Sequence, residues 1–157
     1  MKADKITLEV ANHLRPFMDM REAKCVVKKS IAILRAYDFD AIAFRGLSGA
    51  LIAPIIAMQM GKSLLAVRKD EKTHSIHKVE GDISARRYII VDDFIATGST
   101  VRAILKHVKD FSGAKCIGVL QAYYLAPDMD VHNATYEEHL VTEIVTSWEE
   151  EQKEVYS

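Results

Sequence analysis

Two adjacent carboxylates, Asp92 and Asp93, stand just ahead of a hydroxyl-rich turn, Thr97-Gly98-Ser99-Thr100. The residues before the acids, Tyr88-Ile89-Ile90-Val91, form a short apolar run suited to a buried strand. A strand that ends on acids delivers them at its carboxyl end, the edge where open α/β sheets bind ligands. Carboxylates there suit sugar hydroxyls or the water shell of a magnesium ion. Gly98 is free to take φ > 0, and Thr97, Ser99 and Thr100 surround the expected start of a helix. Free backbone N–H groups, hydroxyls and the helix dipole all favour a phosphate at such a place. Acids and a phosphate cradle in one segment describe a shape for a phosphorylated sugar. An Asp-Asp pair alone is an ordinary strand end; the ordered run over 88–100 carries the reading. No Gly-Lys-Ser/Thr follows a glycine turn and no G-x-G-x-x-G occurs, so the segment is neither a Walker loop nor a dinucleotide fingerprint.

The elements that must position these groups are read from the periodicity of apolar residues. The first forty residues read as helix, with a capping box at Asp19 and Glu22 and Ala23, Val26, Val27, Ile31 and Leu34 at helical spacing. Residues 41–44 form a short apolar run that ends at Arg45-Gly46, a strand followed by a turn. Ser48 is the expected N-cap of a helix ending near Gly61, with Pro54 predicting a kink inside it. Strands are expected over 63–67, 88–91 and 115–121, and a helix over 99–111 stopped by Ser112-Gly113. Residues 68–87 are polar, rich in Lys and Arg, and read as a long loop; loops of this length are usually functional or disordered. Residues 135–155 read as a helix with an acidic end at Glu149, Glu150 and Glu151. Strands alternating with helices predict an α/β fold: a parallel sheet with right-handed crossovers and helices on both faces.

Composition bounds the rest. A chain of 157 residues with 49% hydrophobic and 27% charged residues is expected to form one globular domain. Folding at this size removes about 68–70% of the unfolded chain's surface from water, enough for one core without disulfides. With 21 basic and 22 acidic residues the net charge is −1, so no global field draws nucleic acid or an anionic membrane. Cys25 and Cys116 have no metal-ligand spacing and read as two buried, reduced thiols. The first nine residues hold two acids and no apolar run, unlike a signal peptide. The longest uncharged stretch, 46–61, is shorter than the roughly 18 apolar residues of a spanning helix. A soluble, cytoplasmic protein is expected. His77, Lys78, Arg86 and Arg87 read as solvent-facing, and His13, His107, His132 and His139 form no ligand set. Trp148 reads as a packing residue.

Residues 88–100 resemble the 5-phosphoribosyl 1-diphosphate (PRPP) binding motif of type I phosphoribosyltransferases. That motif is four apolar residues, two acids, two apolar residues, then Ala/Asp-Thr-Gly-x-Thr, and the resemblance runs in the expected element order over 41–121. It implies that Asp92 and Asp93 hold the ribose hydroxyls and, through water, a Mg2+ ion. It implies that Ala96, Thr97, Gly98, Ser99 and Thr100 hold the 5-phosphate. Phe44-Arg45-Gly46-Leu47-Ser48-Gly49 lies where the family places its pyrophosphate loop, and a basic side chain beside glycine-exposed N–H groups suits a diphosphate. Val67-Arg68-Lys69-Asp70-Glu71-Lys72-Thr73-His74 is similar to the R-K-x-x-K-x-H pattern of the mobile catalytic loop of orotate phosphoribosyltransferases. That likeness places Arg68 and Lys69 on PRPP and makes Lys69, Lys72 and His74 catalytic together with Asp92 and Asp93.

Ala96 stands where enzymes acting on 6-oxopurines usually carry an acid, which resembles the adenine class; the loop resembles the orotate class. The resemblance implies a single domain over 1–157, with a core over 20–122 and a base-selecting hood from 1–19 and 123–157. It implies a magnesium-dependent transfer from PRPP to a nucleobase or related heterocycle with release of pyrophosphate. The implied assembly is a homodimer whose loops reach into the neighbouring site. The alternative is a non-catalytic PRPP-binding regulator, and Lys72 and His74 favour the enzyme.

Overall fold

A computed structural model describes residues 14–69, 78–127 and 140–156. A short helix, α1 (Arg15–Met18), leads into α2 (Met20–Leu34). Asp19 caps α2, its carboxylate accepting from the Arg21 and Glu22 N–H groups at 2.9 and 3.4 Å. The spacing of Ala23, Val26, Val27, Ile31 and Leu34 puts one face of α2 in the core. Then come β1 (Ala41–Phe44), α3 (Leu47–Met60), β2 (Ser63–Val67), β3 (Val79–Gly81) and β4 (Arg87–Asp92). They are followed by α4 (Ser99–Ser112), β5 (Lys115–Gln121), a 3-10 turn (Ala122–Leu125), β6 (Leu140–Val141) and α5 (Glu143–Tyr156).

The six strands lie in the order β3-β2-β1-β4-β5-β6. The four central strands are parallel, whereas β3 and β6 run antiparallel at the two edges. The sheet is therefore mostly parallel rather than wholly so. The stretch expected as loop over 68–87 contains β3, a strand of three residues with one buried side chain, Val79. It pairs with β2 through Val67 and Val79. At the C-terminal end, Leu140–Val141 is strand and the helix starts at Glu143; the expected helical residues 135–139 lie outside the described residues.

Alternation along β4 divides the core. Ile89 and Val91 face α2 and α3, while Tyr88 and Ile90 face α4 and α5. Helices thus cover both faces. The chain leaves β1 for β2 on one side and β4 for β5 on the other, so the crossover direction reverses between β1 and β4. Their carboxyl ends flank a crevice, the usual ligand position in such sheets.

Two local expectations need correction. Helix α3 is capped by Gly46 at φ +87°, not by Ser48, which lies inside its first turn. As expected, the helix runs to Met60 and Gly61 ends it in the left-handed region; Pro54 lies inside it at the cost of one backbone hydrogen bond. The second difference lies at the cysteines. Both cysteines are free; Cys116 is buried, but Cys25 is only half-buried. Trp148 packs as expected, with Lys109 Nζ 5.4 Å above its ring. Among the described residues no helix is long and apolar enough to cross a membrane.

Candidate functional site

At the carboxyl ends of β1 and β4 a cleft of about 240 Å3 is lined by Arg45, Ser48, Lys69 and every residue from Asp92 to Val101. The motif residues are thus brought together with two groups distant in sequence, Arg45 after β1 and Lys69 after β2.

The acidic pair is held from several directions. Asp92 is 8% exposed. Its Oδ1 accepts from the Asp93 N–H at 2.9 Å and from the Ser48 hydroxyl at 3.3 Å. Asp93 Oδ1 accepts from the Phe94 N–H at 2.8 Å, and the Asp93 carbonyl accepts from the Tyr123 N–H at 2.9 Å. Gln121, buried at the end of β5, accepts from the Ile95 N–H at 3.0 Å and ties the next residues of the loop to the sheet. Burial, and then the Asp93 carboxyl beside it, push the Asp92 carboxyl up to about 7. An empty cleft therefore disfavours two negative charges, and a cation placed there relieves both causes.

The hydroxyl-rich turn at 97–100 follows. Gly98 takes φ +83° and caps α4, and as a glycine it brings no side chain of its own to the first amides of that helix. Thr97 Oγ1 lies 3.1 Å from Ser99 Oγ and accepts from the Ser99 N–H at 3.3 Å. Hydroxyls and amides of 97–100 converge on the cleft as an uncharged anion receptor.

The other receptor is cationic. Gly46 takes φ +87°, and a Cβ there would fall 2.9 Å from Lys69 Cε and 3.0 Å from Nζ. Lys69 thus lies across the Gly46 backbone. A Cβ on Gly49 would meet Phe44 Cβ at 2.7 Å and the Val91 carbonyl oxygen at 3.2 Å, so its absence lets α3 sit tightly on β1 and β4. That approach brings Ser48 to Asp92. Arg68 does not line the cleft; its guanidinium bonds Glu80 of β3. Lys72 and His74 lie outside the described residues.

Sequence reasoning missed Ser48 as a partner of Asp92 and missed Gln121. A polar residue closing the apolar strand 116–120 was a usable sign for Gln121; Ser48 had none, because its type suits a cap equally well. Among the described residues no group of three or more His, Cys, Asp or Glu could by itself hold a metal ion.

The sequence pattern of the phosphoribosyl transferase domain family matches residues 48–151. An adenine phosphoribosyltransferase of Petrotoga mobilis is 31% identical over 123 residues, which are 66% of this chain and 70% of that protein. An orotate phosphoribosyltransferase of Sulfurisphaera tokodaii is 31% identical over 88 residues, 55% of this chain and 45% of that protein. The chain thus spans less than half of the orotate relative's length. The orotate phosphoribosyltransferase of Mycobacterium tuberculosis, in complex with 5-phospho-alpha-D-ribosyl 1-diphosphate, is similar in fold. It superposes with a TM-score of 0.57 at 19% identity, covering 76% of this chain and 72% of that one.

Proposed function

Because the chain belongs to the phosphoribosyl transferase domain family, we propose that it moves the 5-phosphoribosyl group of PRPP to a nucleobase. The observation that carries this is one cleft holding an acidic pair, a glycine-capped helix start and two cations from other strand ends. In the proposed reaction a ring nitrogen of the base bonds to the anomeric carbon. The bond from that carbon to the diphosphate oxygen breaks, its electron pair leaves with pyrophosphate, and the nitrogen releases its proton to solvent.

The transition state has oxocarbenium character, so the chain's part is to position the ribose and stabilise the leaving diphosphate. Asp92 and Asp93 orient the ribose hydroxyls. Thr97, Gly98, Ser99 and Thr100 hold the 5-phosphate. Arg45, the Gly46 backbone and Lys69 receive the diphosphate. Lys72 and His74 belong to the proposal as loop residues that close on the site and exclude water.

Asp92, buried, and Asp93, half-buried, suit a magnesium ion, which they would hold through water; with no cluster of three ligating side chains among the described residues, its other ligands would be water and diphosphate oxygens. Such an ion, when bound, neutralises charge on the leaving diphosphate. The reading also includes a homodimer. Helix α3 is apolar on every side, and its outer face leaves Leu47 60% and Met58 77% exposed, which a second copy would cover.

The test is a panel of nucleobases with PRPP and magnesium, read by pyrophosphate release. Release with adenine or orotate is expected; guanine and hypoxanthine are expected to be poor, because Ala96 offers no acid to a 6-oxopurine. Magnesium-dependent PRPP binding with no release for any base would make the chain a sensor instead. No PRPP binding at all would end the proposal.

A further inference from the structure

The phosphate turn is covered by a residue far along the chain. Gly98 is buried, and Ile144, the second residue of α5, lies over it. A Cβ on Gly98 would fall 2.6 Å from Ile144 Cδ1 and 3.9 Å from Cγ1. The terminal methyl of Ile144 therefore fills the space a side chain would need. Glycine is required here twice over, by its φ of +83° and by the isoleucine seated on it.

The contact is the first of a series. Arg102 Nη1 donates to Glu151 Oε2 at 2.6 Å, and Lys109 Nζ lies 5.4 Å from the Trp148 ring centroid. Ile144, Trp148 and Glu151 recur at the i, i+4, i+7 spacing of one helix face. Trp148 and Glu151 thus meet Lys109 and Arg102 of α4, the helix that Gly98 caps. Val145, next to Ile144, is buried in the core shared by α4 and β5.

From this geometry we infer that Ile144 is a positioning residue for the 5-phosphate turn, its terminal methyl holding Gly98 in the shape that receives the anion. The inference rests on the reading of 97–100 as the phosphate receptor. Backbone amides hold an anion well only when the turn already has its bound shape. A glycine with nothing above it samples many φ/ψ values, and binding must then select one of them. The Ile144 methyl removes that freedom before any ligand arrives. The diphosphate receptor stands on other elements, with Arg45 and Gly46 after β1 and Lys69 after β2, so it serves as the internal control.

The experiment titrates ribose 5-phosphate and, separately, magnesium pyrophosphate into the full chain and four variants by calorimetry. Ile144→Val trims only the Cδ1 methyl that meets Gly98, Ile144→Ala removes more, and Ile144→Leu keeps the reach. Val145→Ala trims a buried core contact of the same helix and leaves the Ile144 contact with the turn in place. Ile144→Ala is expected to weaken ribose 5-phosphate about fivefold or more, Ile144→Val about threefold, with pyrophosphate changed less than about twofold. Ile144→Leu restores most of the affinity. Val145→Ala lowers the melting temperature but leaves ribose 5-phosphate affinity unchanged.

Amide exchange at 98–100 in the ligand-free chain should quicken in Ile144→Val and not in Val145→Ala. Unchanged ribose 5-phosphate affinity in both Ile144→Val and Ile144→Ala overturns this inference alone, as does an equal loss for both ligands or the same loss in Val145→Ala. An unmodified chain that ignores ribose 5-phosphate overturns the phosphate reading and this inference with it.

Discussion

The two anion receptors proposed for the cleft are built by opposite means. The turn at 97–100 is one continuous segment that offers backbone amides and hydroxyls around a left-handed glycine. The receptor across from it is assembled from separate segments and works through side-chain charge, Arg45 after β1 and Lys69 after β2. The first is damaged by adding atoms, the second by removing them. The first acts through short, fixed dipoles; the second carries whole charges that salt can screen. Between the two in function stands the acidic pair, which neither receptor replaces.

That difference orders the expected effects of mutation. The largest belongs to the shared centre. Asp92→Asn with Asp93→Asn removes the carboxylates proposed for ribose and metal, so pyrophosphate release from PRPP is expected to fall by at least about 100-fold, roughly 2.7 kcal/mol. Unchanged turnover would show that the strand end does no chemistry. Next is Gly98→Val. A β-branched residue resists φ +83° and its Cβ collides with Ile144. Calorimetry should show ribose 5-phosphate weakened by about 30-fold, near 2 kcal/mol, with magnesium pyrophosphate little changed. A comparable loss of both ligands would mean the receptors are not separable.

Lys69→Ala should give the mirror image. Pyrophosphate binding is expected to weaken by about five- to tenfold at low salt, roughly 1 kcal/mol. The deficit should shrink as salt rises, because the unmodified chain loses its screened cation–anion attraction. Ribose 5-phosphate should bind normally. If the deficit is independent of salt, Lys69 acts by packing on Gly46 rather than by charge.

The same contrast governs how much could be read in advance. The acids and the turn at 97–100 were legible as parts of one cleft because they are contiguous: strand, acids, glycine and hydroxyls follow one another, and each residue type declares its physics. Strands β1 and β2 were legible because their apolar runs end at Arg45 and Arg68, and β5 because its apolar run lies between Lys115 and Gln121; the observed bounds 41–44, 63–67 and 115–121 match. Strand β3 was not, because Val79-Glu80-Gly81 buries one side chain and leaves no run to see. Ser48 was misread because a hydroxyl near a helix start looks like a cap, whereas the left-handed Gly46 starts the helix and frees the hydroxyl for Asp92, 44 residues away. Gln121 and Ile144 acquire their roles only once β5 and α5 lie beside the loop that follows β4. Arg68 carries a partner that its place in the motif does not announce, Glu80 of the neighbouring edge strand.

The smallest effect concerns stability, and it separates the centre of the cleft from both receptors. Burial and the neighbouring Asp93 raise the folded-state pKa of Asp92 from 3.8 to about 7. Below about pH 4 the carboxyl is protonated in folded and unfolded chains alike, and its burial carries no charge penalty. Between about pH 4 and 7 the folded chain keeps a proton that the unfolded chain has released, so stability falls as pH rises. Above about pH 7 both states are ionised and the penalty is complete. Asp92→Asn has no proton to lose. With divalent cations chelated and no ligand present, the variant should match the unmodified chain near pH 4. It should become the more stable of the two by on the order of 1 kcal/mol by pH 8, even though it has lost function. Urea unfolding at a series of pH values measures this directly. A gap that is absent at pH 8, or that widens toward pH 4, would mean that Asp92 is already compensated in the empty cleft, with the nearby Arg45 and Lys69 as the groups to substitute next.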